Sequence, residues 1–297
     1  MLVFELNEHL YGFYFEGDTK AANQTAGTSL EDNWEIGGCN ALGVCCYVVH
    51  SQNEAVLFDT LCSPAQVGSV RSYLEKQGIS KFTVLLSHWH LDHVGGNNLF
   101  KDCPIIAQRK TRAYLEANLQ AIENATLWGQ PAIKPLRLPD IVFENSLTIY
   151  CGQVEVQMHH RNIHSDDGCF VYLPAFKIML AGDMLEDTCP FVTNPKDIAA
   201  HLKNLDEVAA MDIERILPNH GRSATIKAGG YSKELIRSAQ YYLDKISQMV
   251  AKDPMCAVPP LCEFMAPYLE NGTLGYWQPY EKVHEDNFAR LKACAGA

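Results

Sequence analysis

Short apolar runs alternate with amphipathic segments along the chain. Residues 9–15, 41–50 and 54–58 are rich in aromatic and β-branched side chains, which favour strands, and Gln52-Asn53 marks a turn between the last two runs. We therefore predict three neighbouring strands of one sheet.

A helical segment follows the third of these predicted strands. Ser63 suits the cap position at its start, Pro64 suits the first helical position, and Gly78 ends the pattern. Residues 82–87 then form a short apolar run that is typical of a buried strand. A strand, a helix and a strand in this order predict a parallel crossover, in which the helix covers one face of the sheet.

The middle of the chain repeats this alternation. Apolar residues recur at helical spacing over 109–125 and 195–210, and four strand-like runs joined by short turns lie between them. The four runs are 147–150, 154–160, 169–174 and 177–182. A short strand at 213–217 and a long helix at 232–250 follow. The pattern therefore predicts an α/β fold with a second sheet.

The composition is that of a globular protein, with 47% hydrophobic and 20% charged residues. At 297 residues the chain is about twice the length of a typical domain, yet layered α/β folds reach this length as one unit. We expect a single domain over 1–297, in which residues 253–297 form a C-terminal wrap or lid. A homodimer surface is an open alternative for the aromatic side chains of that segment.

Charge narrows the class of partners. The 24 Lys and Arg residues against 35 Asp and Glu residues give a net charge of −11, which disfavours nucleic acid as a partner. No apolar run approaches the roughly 20 residues that cross a bilayer, and residues 1–16 alternate polar and apolar positions. We expect neither a signal peptide nor a membrane anchor, and a small molecule as the substrate.

The 11 cysteines are odd in number and include no C-x-x-C pair. Without an export signal, this pattern predicts reduced thiols and a cytoplasmic location. Cys45, Cys46, Cys151 and Cys169 lie within apolar strand-like runs, where a free cysteine behaves as a small hydrophobic residue.

The predicted strand at 82–87 runs directly into an H-x-H-x-D-H cluster, which consists of His88, His90, Asp92 and His93. Imidazole and carboxylate groups are the ligands that zinc and its neighbouring metals prefer. Gly95-Gly96 allows the tight backbone that closely spaced ligands need. Closed structural zinc sites favour cysteine, and none stands near these histidines in sequence, so the cluster indicates a catalytic metal site.

Three further segments follow or interrupt strand-like runs, with His164 in N-I-H-S-D-D-G, Asp183 in L-A-G-D and His220 in P-N-H-G. Together with Asp59 and the cluster that begins at His88, they stand in the order of the metallo-β-lactamase superfamily motifs. The sequence therefore resembles that superfamily, and in particular its branch with glyoxalase II and the lactonases.

The resemblance implies a four-layer αβ/βα sandwich with a dinuclear zinc centre at the edge of the two sheets, with iron or manganese as the alternative metals. The implied ligands are His88, His90 and His164 for the first metal, Asp92, His93 and His220 for the second, and Asp183 as the bridge between them. Asp59 is then expected to orient the His88 loop without touching metal.

Some assignments keep alternatives. His159 and His160 compete with His164, although both lie inside a predicted strand and His164 follows it. Asp59 could instead cap the turn before the first predicted helix. Trp34 and Trp89 are candidates for an apolar substrate pocket.

The resemblance also implies the reaction. A hydroxide that bridges the metals would attack an electrophilic carbon of a small organic molecule, such as a lactone, a thioester, an amide or an isothiocyanate, and Asp92 would accept or relay a proton. The alternatives are an isothiocyanate hydrolase specifically, a β-lactamase or phosphodiesterase, and an iron-dependent redox enzyme of sulfur or oxygen chemistry.

Overall fold

Two β-sheets form the framework of the computed structural model, which describes residues 1–17, 33–37 and 39–295. The first sheet has the spatial order β1 to β7, and its strands are β1 (Leu2–Asn7), β2 (Leu10–Phe15), β3 (Val44–Ser51), β4 (Glu54–Phe58), β5 (Lys81–Leu85), β6 (Ile105–Gln108) and β7 (Ile141–Phe143). The second sheet has the order β12-β11-β10-β9-β8, and its strands are β8 (Ser146–Cys151), β9 (Val154–His160), β10 (Cys169–Leu173), β11 (Ile178–Gly182) and β12 (Arg215–Pro218).

The helices lie between and after these strands. They are α1 (Trp34–Gly37), α2 (Cys39–Leu42), α3 (Pro64–Lys76), α4 (Leu91–Val94), α5 (Arg109–Ala117), α6 (Leu119–Glu123), α7 (Ile198–Ala209), α8 (Ser223–Lys227), α9 (Glu234–Lys252), α10 (Leu261–Phe264), α11 (Ala266–Glu270) and α12 (Tyr280–Ala295), with 3₁₀ turns at Asn97–Phe100 and Pro195–Asp197. Within the described residues, no helix has the length and apolar character that crossing a bilayer requires.

The predicted strand order and crossover are confirmed. β2, β3 and β4 are antiparallel neighbours, whereas β4 and β5 pair in parallel, with α3 between them in the chain. Ser63 caps α3 by accepting a hydrogen bond from the Gln66 backbone N–H. The predicted cap of this helix at Ser63 is thus confirmed.

Both faces of β3 are buried, which explains its continuous apolar sequence. Cys45, Tyr47 and Val49 point into a core that also contains side chains of the second sheet. Cys46 and Val48 belong to the core that contains the apolar face of α3. The first sheet therefore separates two hydrophobic cores.

Two predicted elements differ most from the structure. The predicted strand at 41–50 begins only at Val44, because residues 39–42 are helical. The predicted helix at 109–125 is interrupted at Asn118, where the backbone leaves helical geometry between α5 and α6.

The cysteines follow the prediction only in part. Cys45, Cys46, Cys151 and Cys169 are free and buried, as predicted for small hydrophobic side chains. Cys62, however, is disulfide-bonded, so the prediction of reduced thiols throughout is wrong. A disulfide requires only that the fold bring two cysteines together, and the lack of a C-x-x-C pair therefore could not exclude it.

The C-terminal segment packs on the second sheet's side of the molecule. Leu261, Phe264 and Phe288 are buried in the same core as the strands of that sheet. The helix α12, which no pattern in the sequence predicted, contacts α9.

Candidate metal centre

The topology brings the predicted site residues to one edge of the two sheets. β11 and β12 are parallel, so Asp183 after β11 and His220 after β12 lie at the same edge. β10 is antiparallel to both β9 and β11, so His164, in the turn from β9 to β10, reaches that edge too. The Ser87 carbonyl accepts a 2.8 Å hydrogen bond from the backbone N–H of Cys169, which joins the end of β5 to the start of β10.

Two glycines allow α4 to lie close to the turn after β4. A Cβ atom at Gly95 would stand 2.0 Å from the Cys62 carbonyl oxygen, and one at Gly96 would stand 2.5 Å from that of Thr60. These contacts leave no room for a side chain. The tight packing places His93 of α4 beside the Asp59 turn.

The first potential ligand group consists of His88, His90, His164 and Asp183, whose donor atoms lie within 4.8 Å of one another. His164 Nε2 lies 3.0 Å from His90 Nδ1. Asp183 Oδ2 lies 3.8 Å from His88 Nε2 and 3.9 Å from His164 Nε2. Three imidazoles and one carboxylate thus converge on one point.

The second potential ligand group consists of Asp92, His93, Asp183 and His220. Asp183 Oδ2 lies 3.0 Å from His93 Nε2 and 3.5 Å from His220 Nε2. Asp92 Oδ2 lies 3.6 Å and 3.4 Å from the same two nitrogens. Asp183 therefore belongs to both groups, which places it between them.

The donor set fits a divalent metal. His88 Nε2 and Asp183 Oδ1 are buried and have no hydrogen-bond partner among the described residues. A buried polar atom without a partner costs about 1–3 kcal/mol, unless a bound ion satisfies it. Imidazole nitrogens and carboxylate oxygens in these numbers suit zinc and neighbouring first-row metals.

Asp59 lies behind the two groups rather than within them. Its carboxylate accepts hydrogen bonds from the Ser87 backbone N–H at 2.7 Å, the Ser87 hydroxyl at 2.7 Å and Asn219 Nδ2 at 2.6 Å. It also lies 2.9 Å from His93 Nδ1, and the Ser87 hydroxyl in turn lies 2.9 Å from His88 Nδ1. Asp59 thus contacts one group directly and the other through Ser87.

The competing histidines bond elsewhere. His159 stacks on Phe170 and has Nε2 3.2 Å from Gln157 Oε1, whereas His160 Nε2 lies 2.9 Å from the Asp166 carbonyl oxygen. Neither belongs to the two ligand groups. His164 adopts a φ of 66°, a strained value for a non-glycine residue that often marks functional positions.

His88 and His90, two imidazoles of the first group, favour the neutral state. Burial, together with repulsion from neighbouring imidazoles, lowers the pKa of His88 well below its usual value and that of His90 to about 3. Both rings are therefore neutral at neutral pH, and each has one unprotonated nitrogen, as metal binding requires.

The second group shows the opposite tendency. Burial disfavours the protonated imidazoles, but the negative charges of Asp183 and Asp92 have the larger effect. They raise the pKa of His93 well above its usual value and that of His220 to about 9. Burial likewise disfavours ionised carboxylates, yet His93 and His220 outweigh it and lower the pKa of Asp92 to about 2.

The site opens at His90 and Asp92, the two members that are only half-buried. Trp128, 40% exposed, stands edge-on to His90 with ring centroids 5.4 Å apart, and Phe191 lies 6.3 Å from the same ring. The ring centroids of Trp89 and Trp128 lie 4.7 Å apart.

Trp34 donates a hydrogen bond to the Pro131 carbonyl, and in the described part of the chain no ring contact joins it to the site histidines.

Sequence reasoning missed several residues that support the site. Ser87 and Asn219 each stand directly before a predicted ligand, so adjacency to a ligand was the available signal. Glu186 lies 3.6 Å from His164 Nδ1, and Phe191 lies at the rim. No pattern in the sequence distinguishes these two residues, because only the turn after β11 brings them to His164.

Comparison with known proteins places this geometry in a family context. Residues 40–220, more than half of the chain, match the profile described as the metallo-beta-lactamase superfamily. The chain is 24% identical over 232 residues to the "Beta-lactamase-like protein 2 homolog" of Drosophila melanogaster, a match that covers 71% of this chain and 68% of that protein. It is also 34% identical over 80 residues to "Endoribonuclease YSH1" of Candida albicans, but this match spans only 25% of this chain and 9% of that protein's length.

Solved structures share the fold at low sequence identity. The "Metallo-beta-lactamase from Pontibacter korlensis" has a TM-score of 0.60 at 16% identity, covering 82% of this chain and 98% of that one. The structure of VMB-1 has the same score and identity and covers 82% and 96% of the two chains. These likenesses confirm the predicted α/β fold with two sheets.

Proposed function

The chain belongs to the metallo-beta-lactamase superfamily, and from this premise we propose that it is a hydrolase that depends on two zinc ions. The proposed ligands form the two groups described above, with Asp183 as the residue common to both. The proposed substrates are small organic molecules with an electrophilic carbon.

One observation carries this proposal. Asp183 lies between two sets of converging donors, and its Oδ1 atom is buried without a partner among the described residues. Cations held by the two groups would satisfy this atom and the orphaned His88 Nε2 together. A fold stabilised by these side chains alone has no reason to bury them unpaired.

When bound, a pair of divalent cations polarises a carbonyl-like group and lowers the pKa of bound water to about 7. The residues of the chain hold and orient the donors around that chemistry. Asp59 restrains His93 through Nδ1, and the Gly43 carbonyl accepts a hydrogen bond from His220 Nδ1, so both rings direct Nε2 towards Asp183.

Asp92 is the proposed proton carrier. It keeps 18% of its side chain exposed, whereas His93, Asp183 and His220 keep 5% or less. A carboxylate at the mouth of the site can accept a proton from the attacking water and pass it to the leaving group.

The aromatic side chains at the rim of the site support the proposed substrate class. Trp128 and Phe191 flank His90 with apolar faces, which suits an apolar group attached to a lactone, a thioester, an amide or an isothiocyanate. An isothiocyanate hydrolase is the narrowest form of this proposal. An iron-dependent redox enzyme is the alternative that metal analysis would identify.

A phosphodiesterase is a second candidate, because 80 residues match the Candida endoribonuclease. The net charge of −11 argues against a long nucleic acid substrate. A small chromogenic phosphodiester tests the chemistry without that electrostatic barrier.

The decisive experiment is metal analysis of protein purified without added metal. We expect about two zinc ions per chain in the wild type, one for each group, and a strong reduction in Asp183→Ala. Asp212→Ala is the matched control, because Asp212 is an exposed carboxylate paired with Lys177. Iron at one ion per chain would favour the redox alternative, and protein without metal would refute the proposal.

A substrate screen on the zinc-loaded protein then separates the hydrolase classes. Lactones, thioesters, amides, isothiocyanates, β-lactams and a phosphodiester are compared for turnover that a chelator abolishes. Hydrolysis of the phosphodiester alone would favour the second candidate. Amine release from isothiocyanates would support the narrowest proposal.

A further inference from the structure

Glu186 is a buried carboxylate beside the first ligand group, three residues after Asp183, and only 4% exposed. Its Oε1 atom lies 3.6 Å from His164 Nδ1 and accepts a 3.2 Å hydrogen bond from the Phe191 backbone N–H. Its Oε2 atom accepts a 2.9 Å hydrogen bond from the Tyr280 hydroxyl. Both carboxylate oxygens are therefore held by groups outside the metal centre.

His164 needs an acceptor at this position. Its Nε2 atom faces the other donors of the first group, 3.0 Å from His90 Nδ1. A neutral imidazole has one protonated nitrogen, so a ring that binds metal through Nε2 carries its proton on Nδ1. His164 Nδ1 is buried and has no hydrogen-bond partner among the described residues. The Glu186 carboxylate is the charged acceptor that faces it.

Tyr280 connects this carboxylate to the C-terminal segment. It is the first residue of α12 and is 3% exposed, so its hydroxyl has little access to water. The neighbouring Asp187 fastens the same segment, because it accepts a 2.8 Å hydrogen bond from the Gly275 backbone N–H while its own N–H donates to the His220 carbonyl at 3.1 Å. Two consecutive carboxylates thus join the ligand loops to residues 275–280.

We propose that Glu186 is a positioning residue that orients His164 for metal binding, and that Tyr280 holds Glu186 in place. This inference rests on the proposed function, because it assumes that His164 binds a metal. It assigns the C-terminal segment a fixed supporting role in the metal centre, in place of a lid that opens and closes.

The test compares three variants of the full-length protein. Glu186→Gln keeps the size of the side chain but removes its charge, and Tyr280→Phe removes only the hydroxyl. Tyr276→Phe is the matched control, because the Tyr276 hydroxyl bonds to Glu281 in the same segment and the side chain is 48% exposed. The two zinc dissociation constants are measured by competition with a chromophoric chelator.

We expect Glu186→Gln to weaken one of the two zinc-binding steps by about 10-fold to 100-fold, as loss of a partner of a ligating histidine does elsewhere. Tyr280→Phe should weaken the same step by a smaller factor, and Tyr276→Phe should leave both steps unchanged. Asp92→Asn, which alters the second group, should weaken the other step. The step affected by Glu186→Gln is thereby assigned to the first group.

A spectroscopic measurement separates positioning from general support of the fold. In the zinc-loaded wild type, the His164 Nδ1 proton should give a slowly exchanging imidazole resonance that Glu186→Gln shifts and Tyr276→Phe does not. Unfolding of the metal-free proteins by urea provides the stability of each variant.

Three outcomes would overturn the inference. Zinc binding in Glu186→Gln that equals that of the wild type would show that Glu186 does not act on His164. Equal weakening of both steps, together with lower stability of the metal-free protein, would indicate a purely structural role. A wild type that binds no divalent metal would refute the proposed function and this inference with it, whereas the first two outcomes leave the proposed function intact.

Discussion

The two ligand groups share Asp183 yet differ in their tendency to hold protons. In the group of His88, His90 and His164, burial and mutual repulsion lower the pKa values of His88 and His90. In the group of Asp92, His93 and His220, the carboxylates raise the histidine pKa values instead. One edge of the fold therefore contains a nitrogen-rich half, in which His88 and His90 are neutral, and a carboxylate-rich half, in which His93 and His220 tend to bind protons.

The difference follows from the number of carboxylates in each half. A buried imidazole accepts a proton only where a nearby negative charge compensates for lost hydration. The second group contains Asp92 as well as Asp183, and Asp59 lies 2.9 Å from His93 Nδ1. Asp92 and Asp59 thus add to the effect of Asp183 on His93, and protons compete with metal ions for the nitrogens of the second group.

Removal of the shared residue should have the largest effect. We expect Asp183→Ala to reduce metal content in both halves, whereas His90→Ala should spare the second group, because Asp183 alone belongs to both. Metal analysis after dialysis distinguishes the two variants. Retention of both metals by Asp183→Ala would contradict the shared position of this residue.

Loss of the Asp59 carboxylate, which lies behind both ligand groups, should have the second-largest effect. Asp59→Asn removes a charged acceptor that contacts His93 directly and His88 through Ser87. We expect zinc affinity to fall by about 10-fold to 100-fold in both binding steps. Chelator competition measures the loss, with the exposed Asp102→Asn as control. An effect on one step alone would show that the contact of Asp59 with His88 through Ser87 contributes nothing to zinc affinity.

The pH dependence should separate the halves. Because the pKa of His220 is raised to about 9 without metal, binding to the second group must displace protons at neutral pH. Its affinity should therefore rise with pH up to about 9, by about tenfold per pH unit for each proton released. In the first group the pKa values of His88 and His90 are lowered, so binding there should release no proton from these two rings and should depend less on pH above 6.5. Titrations at several pH values test this, and equal slopes would refute the distinction.

The smallest expected effect concerns His201, which lies outside both ligand groups and changes the pH dependence of stability. Its Nε2 atom lies 3.1 Å from Asn162 Oδ1, two residues before His164. Burial, followed by repulsion from His164, lowers its pKa to about 4. The unfolded chain therefore binds a proton at His201 near pH 6.5, whereas the folded protein binds it only near pH 4. The free energy of unfolding falls as the pH decreases from about 6.5 to about 4.

The variant His201→Gln keeps a donor for Asn162 but does not titrate. Between pH 7 and pH 5 it should avoid a loss of about 2 kcal/mol in unfolding free energy that the wild type suffers. Urea unfolding of the metal-free proteins at both pH values measures this difference. Parallel pH profiles for the two proteins would contradict the lowered pKa.

Prediction of the fold from sequence succeeded where local spacing carries the information. The cluster from His88 to His93 follows a strand directly, and β5 and α4 place it as expected. His164 was preferred over His159 and His160 because it follows the strand, and the ligand groups include His164 alone of the three. Prediction failed for Cys62, which is disulfide-bonded, because sequence spacing does not show which cysteines the fold brings together.

The sequence by itself determined the order of many strands and helices, although not β1, β6, β7 or α12, and it determined the cluster from His88 to His93, because these features depend on residue type and on spacing of a few positions. Only the tertiary structure decided which carboxylate meets which histidine. Asp59 reaches His93, and Glu186 joins His164 to Tyr280, across separations that no local pattern encodes. These contacts exist because two sheets end at one edge, where burial makes every polar atom depend on a partner from another segment.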